Sequence, residues 1–240
     1  MRKAAAIKWL ILSLLLMTAF VNCEGFELAR SLNEELESGS VSSDNCVLAS
    51  AQYRNPKSID DVTTLINVLP KPLSIPCLIE NLPKPLKVYS FESTGSAQPS
   101  PDSNSPRIFI IIDKLIVSVI PKGIGRNFVE FSQVISSSES VKAEVQFPVV
   151  SELDVAAPYD SIRAAFGTSC RDCHMGERGV SGFAGDAYAS VILRPGPVGR
   201  QTASKMRLLS ANCDDADDPA RCKMLRAVFV NGQAQDTSFP

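Results

Sequence analysis

Apolar and polar positions follow one rhythm up to Pro148 and another beyond it. Before that point the pattern is strand-like. Residues 108–112 (Ile-Phe-Ile-Ile-Ile) and 115–120 (Leu-Ile-Val-Ser-Val-Ile) flank Asp113-Lys114, which predicts a hairpin or two consecutive strands. Both faces are too apolar to sit exposed. Strands are also predicted over 128–135 and 141–147, the latter alternating cleanly at Val141, Ala143, Val145 and Phe147. Ser58, followed three residues later by Asp61, predicts a capped helix over 59–68 with Val62, Leu65, Ile66 and Leu69 on one face. The sequence Leu-Pro-Lys-Pro-Leu occurs at both 69–73 and 82–86. Such proline density disfavours helix, so each copy is expected to lead into a short strand, over 75–79 and 86–91. The Ser-, Pro- and Gly-rich residues 92–106 read as a mobile loop.

Beyond Pro148 the spacing becomes helical. Pro158 opens a predicted helix with Ile162, Ala165 and Phe166 on one face and Gly167 as its stop. Residues 176–200 are rich in glycine and proline and read as a loop. Thr202 caps a helix through Met206 and Leu209 to about Ala211. The last helix is the best punctuated, with Asp218 as cap, Pro219 at its first position and Asn231-Gly232 as terminator. The expected fold class is α+β: a small β-rich N-terminal sandwich or barrel over 46–148, then an α-helical domain over 149–240.

The N-terminus changes the setting. Arg2, Lys3 and Lys8 precede an almost unbroken apolar run from Trp9 to Val21, which reads as a signal peptide over residues 1–22. Residues 23–45 then form a tether with a short amphipathic helix at Leu28, Leu32 and Leu36. Cys23 closes the apolar run and is expected either to carry a lipid or to mark an ordinary cleavage site. Export to the periplasm or cell envelope makes the other cysteines candidates for disulfides. With Cys23, Cys170 and Cys173 set aside, proximity favours Cys46–Cys77 and Cys213–Cys222 among three possible pairings. A net charge of −2 and the absence of a Lys/Arg tract argue against a nucleic-acid partner.

The chain contains one histidine, His174, and it stands in Cys170-Arg171-Asp172-Cys173-His174. This spacing resembles the attachment site of c-type cytochromes, where two thiols bond the haem vinyl groups and the next imidazole ligates iron. The resemblance covers the motif, the helix expected before it and the helical domain expected around it. It implies one covalent haem c, with a methionine as second axial ligand. Met206, after the Pro/Gly-rich loop, is the preferred ligand; Met224 suits the core better, and Met175 adjoins His174 too closely. Among Arg171, Arg178, Arg194, Arg200 and Arg207, Arg194 and Arg200 are the first candidates to pair with haem propionates. Three other readings of Cys170 and Cys173 stay open: a structural or mixed disulfide, a thioredoxin-like redox pair and a zinc site.

The resemblance therefore implies an exported monohaem cytochrome-like protein. It would pass electrons to a redox partner protein and would not be an enzyme. The alternative is a non-enzymatic envelope lipoprotein with structural disulfides and a β interaction domain. In either case, contact with the membrane is expected only through a lipid on Cys23.

Overall fold

Lys87–Phe91 (β1) organises the sheet by pairing with three other strands. One edge of β1 meets Arg107–Ile112 (β2) antiparallel, with Val88 opposite Ile110. Its other edge takes two short C-terminal strands. These are Arg200–Gln201 (β8), antiparallel at Ser90 and Phe91, and Gln235–Asp236 (β9), parallel at Lys87 and Val88. The computed structural model describes residues 46–240; the expected signal peptide, Cys23 and the tether lie outside the described residues.

From β2 the chain runs antiparallel through Leu115–Val119 (β3), Phe128–Val134 (β4) and Glu139–Gln146 (β5). Two further strands, Arg178–Val180 (β6) and Ala187–Val191 (β7), continue the same sheet beyond β5. The order is β6-β7-β5-β4-β3-β2-β1-β8, with β9 also on β1. This arrangement overturns the expected helical cytochrome c-like domain. The described residues form a mostly β unit around one mixed nine-stranded sheet, to which residues 149–240 contribute four strands.

Helices cover one face of the sheet. Ile59–Val68 (α1) carries the predicted capping box: Ser58 accepts from the Asp61 amide and the Asp61 carboxylate accepts from the Ser58 amide. Ile75–Glu80 (α2) replaces one predicted strand. Ser74 caps it and Pro76 sits in the first turn, where proline's missing N–H costs nothing. Ala157–Asp160 (α3) is a single turn. Ala203–Ala211 (α4) and Pro219–Arg226 (α5) follow their predicted caps, Thr202 and Asp218, and a π-helical turn extends α5 to Asn231. Ile110, Val117, Phe131 and Ala143 from the sheet join Ile66, Leu78, Leu225 and Phe229 in one buried core. No helix among the described residues is long and apolar enough to cross a membrane.

Both preferred disulfides are present. Cys46–Cys77 fastens the start of the unit to α2, and Cys213–Cys222 closes the loop between α4 and α5, with Cα separations of 5.1 and 5.5 Å. Within residues 92–106, Gln98 is buried and donates to the carbonyls of Gly125 and Phe128 at 3.2 and 2.8 Å. That segment is irregular yet anchored at Gln98.

Gly232 ends the last helix against β1's lead-in, and its carbonyl accepts from the Leu86 amide at 2.9 Å. An added Cβ would run into Leu86 Cδ1 and the Val228 carbonyl. Gly232→Ala is expected to lower unfolding free energy by about 1–3 kcal/mol in chemical denaturation. Unchanged stability would contradict this close approach.

Candidate functional site

The face of the sheet opposite the helices is polar at its centre. Antiparallel register places Arg107, Ser118, Glu130, Ser132, Lys142, Ser140 and Ser190 on that side. Arg107 donates through Nε to Ser118 Oγ at 2.7 Å and through Nη2 to Glu130 Oε2. Lys142 Nζ donates to Ser132 Oγ at 3.0 Å and to Ser140 Oγ, and those hydroxyls bond each other at 2.8 Å. Ser118 in turn donates to Gln98 Oε1 at 3.2 Å.

Residues 162–178 fold as a tight loop whose Cys170 and His174 lie within electrostatic reach of Lys142 and Glu130 on this face. Thr168 is buried, accepts from the Cys170 amide and is held by Glu177, whose carboxylate takes both the Thr168 amide, at 2.8 Å, and its hydroxyl. Gly167 makes the sharp entry at φ +82°, and a side chain there would strike Glu177. Amides of Cys173 and His174 both donate to the Cys170 carbonyl, at 3.2 and 2.8 Å, so Cys170 and Cys173 share one turn. His174 Nδ1 meets the Val191 carbonyl at 2.8 Å, and the Met175 carbonyl accepts from the Val191 amide. The loop is thereby bound to β7.

Burial pulls the Lys142 ammonium down to about 8, outweighing Cys170 and Glu130, which favour its charge. Burial, reinforced by Glu130, pushes the Cys170 thiol up to about 11. Burial and then the Lys142 charge hold His174 below the usual imidazole range. Cys170 is half-buried and Cys173 exposed, and both are free thiols. Beside them opens a cleft of about 700 Å³ lined by Phe166, Arg171, His174, Met175, Glu177 and Tyr188, among others.

Covalent haem c, implied by the motif, does not survive this geometry. No group of three or more His, Cys, Asp or Glu side chains among the described residues is placed to hold a metal ion. The helical domain that would enclose a macrocycle is replaced by β6–β9 and their connections. The predicted iron ligands are also kept apart. His174 lies beside β7, whereas Met206 is fully buried on α4, just after β8 at the other end of the strand order. Met224 is core as well, and Met175 is exposed.

The structure places the predicted propionate partners elsewhere. Arg194 donates to the carbonyls of Pro240 and Ser137 at 2.7 and 2.8 Å. Arg200 donates to the Thr237 carbonyl at 3.1 Å and stacks over Tyr89 at 4.7 Å. Arg178 forms a two-point pair with Glu139 at 3.0 and 2.9 Å. Of the predicted site residues, Cys170, Cys173 and His174 share one loop, and Met206, Arg194 and Arg200 are distributed elsewhere. Sequence reasoning missed Arg107, Glu130, Lys142 and the serines around them. Their one signal is a polar residue between inward apolar positions, which ordinary solvent-facing strands share.

A buried lysine whose folded pKa lies below its unfolded value gains stability as pH rises through the folded value. For Lys142 that window opens near 8 and closes near the ordinary 10.5. Cys170 acts with opposite sign, losing stability as pH climbs from 9 toward 11. The unfolding free energy of the unaltered chain should therefore rise by about 1 kcal/mol more than that of Lys142→Met between roughly pH 7 and 9. Parallel pH profiles for the two proteins in urea denaturation would refute the burial of this charge.

No family model, curated protein or solved structure matches this chain.

Proposed function

We propose that this chain is an exported, non-enzymatic protein of the cell envelope whose disulfide-stapled β unit serves as an interaction module. The observation that carries this reading is the pairing of all four cysteines outside the Cys170–His174 segment among the described residues. Disulfides of this structural kind persist in oxidising compartments and are rare in the cytosol of mesophiles. The basic start and apolar run of residues 2–21 supply an export route, and Cys23 a position for a lipid. Phe166 and Met175, 80 and 76% exposed at the cleft, offer apolar surface for a partner.

Intact mass of the full chain, recovered by cell fractionation without reductant, tests this directly. The expected species is processed near residue 23, lies in the envelope fraction and has lost two hydrogens for each disulfide. An unprocessed cytosolic chain with every thiol open to alkylation would overturn the reading. So would a porphyrin-sized adduct on the Cys170–Cys173 peptide.

A further inference from the structure

We propose that Cys170 and Cys173 are a thiol–disulfide exchange site, with Cys173 meeting an external disulfide and Cys170 resolving the mixed disulfide. The inference does not depend on the interaction-module reading and is testable in purified protein whatever its compartment.

Four observations support it. The other four described cysteines are already paired, while these two are thiols. Their shared turn, closed by the Cys173 amide on the Cys170 carbonyl, keeps their Cα atoms within about 7 Å, and disulfides commonly span about 4.4–6.8 Å. The two thiols differ in access: Cys173 faces solvent and Cys170 is half-covered, so attack from outside and internal resolution fall to different sulfurs. Finally, Arg171 within the turn and His174 just after it line an open cleft of about 700 Å³ together with Phe166, Met175, Glu177 and Arg178, which leaves room next to the turn for a small disulfide or a peptide strand. Burial, with Glu130 and Glu144 beside it, holds the Cys170 thiol up to about 11 against the opposing Thr168 hydrogen bond and Lys142 charge, so resolution by Cys170 quickens as pH rises.

The exchange balances without a further reagent. The Cys173 thiolate attacks one sulfur of R–S–S–R; that bond breaks, and the departing RS⁻ takes up the proton Cys173 released. The Cys170 thiolate then attacks Cys173 Sγ, expelling the second RS⁻, which takes the proton from Cys170. The chain's dithiol loses two electrons, and the partner disulfide becomes two thiols.

The probe is glutathione disulfide mixed with glutathione at graded ratios. Acid quenching, alkylation and intact mass with peptide mapping supply the readout on the full processed chain. Cys170 and Cys173 should pass together between dithiol and disulfide across the series, while Cys46–Cys77 and Cys213–Cys222 stay closed. Cys170→Ser should accumulate a single glutathione adduct on Cys173. If that variant does not fold, alkylation of the unaltered chain decides, with Cys173 expected to react at least roughly tenfold faster than Cys170. The proposal is overturned if the two thiols stay reduced in every mixture, if Cys170→Ser takes no adduct while folded, or if both thiols alkylate at equal rates in the native chain.

Discussion

Pairing of β5 with β7 is the constraint on which the candidate site depends. Val141 opposite Ala189 and Glu139 opposite Val191 carry the sheet past its hairpin-built centre. His174 and Met175 then bond to Val191, which lays the cysteine turn near the polar face. Without this long-range ladder, residues 162–178 would rest on their local turns, the Glu177 anchor and the ion pairs of Arg163 with Asp186 and Arg178 with Glu139. The chemistry of Cys170 is thus set by strands that lie far from it in sequence.

The sheet's two faces divide the work. One is sealed by α1, α2 and the C-terminal helices around Phe131 and Phe229 and supplies the apolar burial that stabilises the unit. The other carries Arg107, Glu130 and Lys142 under partial cover, and each is tied to a hydroxyl or an opposite charge. Keeping an ammonium there has a cost, visible in the depressed Lys142 pKa. The same arrangement gives the loop above it a charged floor, which an all-apolar face would lack.

Much of the first half was legible in the sequence because its signals are local. The apolar runs around Asp113-Lys114 became the hairpin β2–β3, with Asp113 at φ 56° in the turn. The Ser58–Asp61 box became the cap of α1, and α4 and α5 begin at their predicted caps. The proline-dense Leu-Pro-Lys-Pro-Leu copy at 69–73 points to a strand over 75–79, yet a helix starts there, with Pro76 in its first turn, the one helical place that tolerates proline. β6 and β7 escaped notice for a different reason. Arg178-Gly179-Val180 and Ala187-Tyr188-Ala189-Ser190-Val191 are short and low in strand propensity, and pairing with β5 determines their conformation. The Cys170–His174 motif misled at the level of the domain, since five residues constrain a turn and say little about the elements that enclose it. Phe166, expected on the buried face of a helix, projects into solvent.

A crystal structure of the full chain recovered from its native compartment tests the central claim most directly. It should show the Cys170 and Cys173 sulfurs as thiols or bonded to each other, with the His174 ring against the Val191 carbonyl and Met206 packed among the helices. Thioether bonds from those sulfurs to a macrocycle, with His174 swung away from Val191 onto iron, would contradict it.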